Sequence, residues 1–204
     1  MRVRRHKEEA WEPLMFAFRD ACVTEGFPDG QDMNNPDSTG VAPLPMNNVA
    51  GVRLSTALSY INPVRHRLNL TIRPNALTTR ILFDGKRATG VEVESGGEPF
   101  VVEGELIVLS TGSIASPHLL MVSGVGPRDH LAGVGVPVVH DLPGVGQNFR
   151  DHPQAPVTFS AQEGFPMNFD APRTQLGLRY TATGSDLRND MVVFPTTFST
   201  RWET

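Results

Sequence analysis

Three Gly-x-Gly pairs, Gly124-Val125-Gly126, Gly133-Val134-Gly135 and Gly144-Val145-Gly146, are the first candidates for chemistry in these 204 residues. A glycine turn between a strand and a helix lets backbone N–H groups close on a phosphate. Their surroundings exclude the full dinucleotide fingerprint. Asp129, Val138 and Phe149 stand where its last glycine would fall, and none of the pairs joins a strand directly to a helix opening. No Gly-x-Ser-x-Gly elbow surrounds Ser113, Ser116 or Ser123, which argues against a serine hydrolase. His118 and His130 lack a partner histidine at metal-binding spacing, and the single cysteine, Cys22, excludes an internal disulfide and any multi-cysteine metal site. No metal site is expected. Cys22 falls on the apolar side of a helix, as a buried, inert thiol does. Asp151-His152 could pair an acid with an imidazole for proton transfer. Neighbours on an extended chain point opposite ways, however, and Pro153 implies a fixed turn, so a structural role is favoured.

Residues 112–126, GSIASPHLLMVSGVG, are the more informative stretch. The unbroken apolar run Leu106 to Leu109 before them predicts a strand buried on both faces, as in parallel sheets. Thr111-Gly112-Ser113 breaks the run. Ser116-Pro117 predicts a helix start, Leu119, Leu120 and Val122 continue it, and Gly124 closes it. In open α/β sheets ligands collect at such carboxyl ends, where helix N-termini favour anions. The same pattern also describes a plain βα unit that binds nothing.

The elements around this unit follow from periodicity. Trp11, Leu14, Met15, Phe18, Ala21 and Cys22 recur at helical spacing between Pro13 and Gly26. Residues 27–48 form a long Pro, Gly, Asn and Asp loop, of the kind that is functional or crosses between domains. Gly51 to Tyr60 reads as helical again. Leu68, Leu70 and Ile72 alternate as a strand, while Leu77 to Phe83, Ala88 to Glu94 and Phe100 to Val102 predict a meander turning at Asp84-Gly85 and Ser95-Gly96-Gly97. Val136 to His140 reads as another short strand, and beyond Pro153 the segments APVTFSAQ and NDMVVFPTTF read as strands and loops. The fold class is α/β in the broad sense, an α+β mixture in which an antiparallel meander interrupts a parallel sheet. That suits FAD-binding variants of the Rossmann sheet better than the NAD type.

Composition narrows the partners. With 39% hydrophobic and 20% charged residues the chain is globular, and a net charge of −4 argues against a nucleic-acid or anionic-membrane surface. The basic cluster Arg2 to Lys7 runs straight into Glu8 and Glu9 with no apolar segment behind it. No signal or transmembrane segment is therefore expected, and a cytoplasmic location is favoured.

The stretch Gly112 to Gly126 resembles the second signature of the glucose-methanol-choline (GMC) oxidoreductase family. Gly51-Val52-Arg53-Leu54-Ser55, Arg67-Leu68-Asn69-Leu70, Gly90-Val91-Glu92-Val93, Leu142 to Asn148 and Asp151-His152-Pro153 are similar to its neighbouring segments. This resemblance implies an FAD-dependent flavoprotein, alcohol dehydrogenase or choline dehydrogenase-like, that oxidises the CH–OH group of a small-molecule alcohol and passes electrons to oxygen or a quinone. It implies that Thr111 and Gly112 help hold the FAD and that the backbone near Leu77 lies against its adenine end. Residues 51–152 would belong to the FAD-binding domain, 1–50 to a substrate-domain segment with its crossing loop, and 153–204 to the start of a second substrate-domain segment.

Two of the family's parts have no match here. These are the Gly-x-Gly-x-x-Gly segment that takes the FAD pyrophosphate, and the segment carrying the catalytic histidine with its His or Asn companion. No catalytic residue is assigned, and His152 does not fill that role. The expectation is a fragment resembling the middle of such an enzyme, inactive alone, with the missing halves of a split enzyme as possible partners. The alternative is a non-catalytic remnant serving as a binding or interaction module.

Overall fold

The computed structural model of the chain describes residues 2–168 and 170–197. Along them run α1 (Pro13–Thr24), β1 (Gly40–Pro43), β2 (Asn48–Val49), β3 (Val52–Arg53), β4 (Leu77–Asp84), β5 (Arg87–Ser95) and β6 (Glu98–Glu103). They are followed by α2 (Gly112–Val122), β7 (Val125–Gly126), α3 (Arg128–Gly133), β8 (His140–Asp141), β9 (Leu176–Tyr180) and β10 (Met191–Val193). The chain divides into two compact units, residues 1–70 with 155–204, and residues 71–154. No helix among the described residues is long and apolar enough to cross a membrane.

In the first unit α1 lies against an antiparallel sheet of order β1-β9-β10. Pro13 opens the helix, where its missing N–H is no loss. Phe27 N–H to Cys22 O and Gly26 N–H to Val23 O, both 3.0 Å, close it with the paired bonds of a Schellman motif. Met15 and Cys22 on its buried face, with Trp11 just before it, cluster with Val41, Leu176 and Leu178. Each of these side chains, fully buried, contributes on the order of 1.5–3 kcal/mol. Among the buried polar residues is Gln175, with no exposed surface. Its Oε1 accepts the Glu12 N–H at 2.8 Å and its Nε2 donates to the Ala10 carbonyl at 2.6 Å. It thereby satisfies backbone groups that would each cost about 1–3 kcal/mol if buried unmet.

The expected helix over Gly51 to Tyr60 is reduced to one π-type turn, Ala57–Ile61. Ala50 and Gly51 take φ of 48° and 77°, the backbone of a two-residue hairpin, so Val52 and Arg53 fold back on Asn48 and Val49 instead. Leu68 to Ile72 is not a strand either. Arg67 N–H bonds the Val64 carbonyl and Leu70 N–H the Arg67 carbonyl, winding the segment into turns with Leu68 fully exposed. APVTFSAQ forms no strand. The strands of this region are β9 and, within NDMVVFPTTF, β10; Gly177 of β9 lies under the Phe194 ring, where an added Cβ would press on that ring and on Met33.

In the second unit the meander forms in the register that its turns dictate. β4, β5 and β6 pair antiparallel through two-residue loops at Gly85-Lys86 and Gly96-Gly97. α2 packs on β4, with Leu119, Ile81 and Val93 buried. The run Leu106 to Leu109, expected as a strand buried on both faces, pairs with no strand among the described residues, and Leu106 and Val108 are 81% and 73% exposed. An apolar run becomes a strand only where neighbours supply its ladder bonds, and none lies beside this one.

Candidate functional site

The helix after that run begins earlier than its Ser-Pro pair predicts. α2 starts at Gly112, so Pro117 lies inside it and forgoes the bond to the Ser113 carbonyl. Ser116 is therefore no cap. Its Oγ lies 2.9 Å from Oγ1 of Thr111, which occupies the N-cap position. Thr111 places no side-chain oxygen on the first-turn N–H groups, and no acidic residue lies in that turn. Four N–H groups at a helix start have no intrahelical acceptor, and together with the helix dipole they favour an anion. Gly112 has φ of +90° with open space where a side chain would stand, and residues 112–115 are exposed.

Leu77, the other residue singled out, opens β4 opposite Glu94 and is 65% exposed. It shares the second unit with Thr111 and Gly112, and α2 packs directly on its strand. The arrangement offers a donor-rich helix start and an apolar strand start on two packed elements.

Beyond α2, Gly124 has φ of +87° and an added Cβ would sit 2.5 Å from the Pro137 carbonyl oxygen, so only glycine fits. Its own carbonyl accepts Val139 N–H at 2.8 Å and His140 N–H at 3.1 Å, which sets β7 parallel to β8. The strand expected over Val136 to His140 is thus reduced to His140–Asp141. Asp141 takes the Arg128 backbone N–H at 3.1 Å, at the start of α3. The Gly-x-Gly pair at 124 serves packing: Met121 and Leu131 fill the space over Gly126.

His118 and His130 are exposed on α2 and α3. The Asp151 carboxylate accepts the backbone N–H of His152 at 2.8 Å, a local turn. Cys22 is buried, and burial pushes its thiol pKa up, which keeps it protonated and unreactive. Among the described residues no group of three or more His, Cys, Asp or Glu could hold a metal ion.

One residue escaped sequence reasoning. Ser123, just past α2, donates its hydroxyl to the Leu119 carbonyl at 2.6 Å and accepts the Ile81 N–H of β4 at 2.8 Å. A serine before a glycine at a helix end signals a cap, but nothing in the sequence discloses a partner 42 positions away.

A mixed α/β chain whose antiparallel meander leads into a glycine turn and helix is the architecture of a class of flavin oxidoreductases. Pyridoxine 4-oxidase from Mesorbium loti superposes with a TM-score of 0.65 at 32% identity, covering 69% of this chain and 28% of that one. An FAD-dependent oxidoreductase from Chaetomium thermophilum superposes with a TM-score of 0.64 at 33% identity, covering 68% and 25%. The family model for GMC oxidoreductase matches residues 1–154, and the chain belongs to that family. It is 39% identical over 192 residues to an uncharacterized GMC-type oxidoreductase of Rhodococcus erythropolis. It is 38% identical over 183 residues to an oxygen-dependent choline dehydrogenase of Pectobacterium carotovorum, and 46% identical over 144 residues to one of Pseudomonas putida. These matches cover 89%, 86% and 69% of this chain but only 39%, 33% and 26% of the relatives.

Proposed function

We propose that this chain is part of an FAD-dependent oxidoreductase that oxidises the CH–OH group of a small alcohol, a choline-like amino alcohol among the candidates. The observation that carries this reading is the family match across residues 1–154, supported by the names of the choline dehydrogenases it resembles. The residues fit the cofactor. The unclaimed N–H groups at Thr111 and Gly112 suit an anionic portion of FAD, with no carboxylate in that turn to repel it. The exposed start of β4 at Leu77 leaves its backbone open to the adenine end. FAD, when bound, supplies the hydride acceptor. This chain's share is to hold and orient it. No residue here is assigned as catalytic base, and the acceptor that reoxidises the flavin is oxygen or a quinone.

On this reading residues 51–152 supply a segment of the FAD-binding part, while 1–50 and 153–204 supply segments of the substrate-binding part. The chain alone is then inactive and retains FAD poorly, and its partners are the remaining portions of the enzyme. The second reading, a non-catalytic interaction module, draws on the exposed Leu106 and Val108, which offer an apolar strip to another protein.

The test is to express residues 1–204, add excess FAD, titrate by flavin fluorescence, and then record the visible spectrum after gel filtration. Saturable quenching with little flavin surviving the column is the expected result. Flavin retained in equal molar amount overturns the inactive-fragment reading. No saturable quenching moves the chain to the interaction-module reading.

A further inference from the structure

We infer that Ser123 is a positioning residue that sets the Thr111–Gly112 turn at its working distance from the start of β4. The functional half of this inference rests on the FAD reading of that turn. Ser123 is buried, and its hydroxyl is used in both directions: donated to Leu119 of its own helix, accepted onto Ile81 N–H of the neighbouring strand. Among the described residues β4 is an edge strand of the meander, paired only with β5, so Ser123 satisfies a backbone donor that the sheet leaves open. The hydroxyl is therefore a joint between helix and sheet.

The position of that joint matters. Leu77 lies four residues from Ile81 along β4, and Gly112 lies eleven residues from Ser123, at the opposite end of α2. At the rise of a strand and of a helix, these arms are about 13 Å and about 17 Å long. Both candidate cofactor contacts are thus carried at the far ends of two stiff elements that pack on one another and are joined by the Ser123 hydrogen bond. A small rotation at the joint is enlarged at their tips, and a binding constellation tolerates only about 0.5 Å of such error. Gly124, which follows immediately, fixes the other side of the joint through its close approach to Pro137 and Val139.

The experiment compares the 204-residue chain with Ser123→Ala, Ser123→Cys and Ser123→Thr. Alanine removes the hydroxyl, cysteine keeps the volume but offers only a weak sulfur acceptor, and threonine retains the hydroxyl. Amide hydrogen exchange is read without flavin at Ile81 and at Ala115 and Ser116, the first amides bonded within α2. FAD half-saturation is then read by fluorescence. The expected result is exchange at Ile81 faster by about tenfold or more in the alanine and cysteine variants, faster exchange at Ala115 and Ser116, and FAD half-saturation raised several-fold, with threonine close to wild type. If Ile81 loosens while Ala115, Ser116 and FAD half-saturation stay unchanged, Ser123 is a structural pin and the inference fails. It fails equally if alanine and threonine behave alike. Should the wild-type chain bind no FAD, the cofactor reading falls by itself, and the amides of Ala115 and Ser116 still decide the positioning. Where alanine prevents folding, cysteine carries the comparison.

Discussion

At the scale of single residues, the polar groups that matter most are those whose partners lie far along the chain. Gln175 bonds Glu12 and Ala10, more than 160 positions away, and fixes where α1 begins against the sheet. His6 is partly buried near the same end, and its backbone carbonyl accepts the Trp11 Nε1–H at 3.0 Å. Burial, and then the Arg4 charge, hold its imidazole pKa below the ordinary value. The folded chain therefore prefers the neutral ring, while the unfolded chain takes up a proton near pH 6.5. Below that pH the unfolded state binds more protons and stability declines as pH falls through the folded pKa. Melting temperatures should fall between pH 7 and pH 5, and His6→Leu, which spares the backbone bond to Trp11, should flatten that dependence. An unchanged slope in the variant would show that His6 is not the titrating group.

At the scale of elements, α2 and its surroundings show local pattern yielding to packing. Ser116-Pro117 has the chemistry of a helix start, yet the helix runs on through it to Gly112 and forgoes one backbone bond at Pro117. Leu119 on the buried face and the Ser123 joint hold the helix on β4. Gly124 then turns the chain into β7 under two constraints at once, a left-handed backbone and a neighbour with no room to spare. Gly124→Ala should cost about 1–3 kcal/mol for the backbone alone, with overlap against the Pro137 carbonyl added. Amide exchange at Val139, which bonds the Gly124 carbonyl, should rise by at least tenfold. Exchange at the wild-type rate would contradict the packing described at this turn.

At the scale of the whole molecule, each unit has its own sheet, and the two are built differently. The first closes a core from residues at both ends of the chain, α1 with β1 and β9. The second has an ordered meander but leaves Leu106 and Val108 in solvent. Exposed apolar segments of strand character associate with other chains. The 204-residue chain should self-associate as its concentration rises, and Leu106→Lys with Val108→Lys should shift it towards monomer in sedimentation velocity. Identical sedimentation of both proteins would show that this strip is not the adhesive surface.

The sequence by itself determined much of what depends on near neighbours, though not the Ala50-Gly51 hairpin or the start of α2. The period of Trp11 to Cys22 specifies α1, and the paired turn residues at Asp84-Gly85 and Gly96-Gly97 specify the meander. The resemblance of residues 112–126 specifies the family, which the match over residues 1–154 bears out. Helix and hairpin signals are legible because their hydrogen bonds close within a few residues. Tertiary structure alone decided which apolar runs become strands: Leu68 to Ile72 and Leu106 to Leu109 carry strand patterns without ladders, while the alternating segment Leu176–Tyr180, with no stronger pattern, is a central strand. Strand formation needs partners from elsewhere in the chain, so a period-two or apolar run states only a capacity to pair. For the same reason Ser123 is invisible in the sequence, since its meaning lies in a strand amide 42 residues away that only the folded chain brings within 2.8 Å.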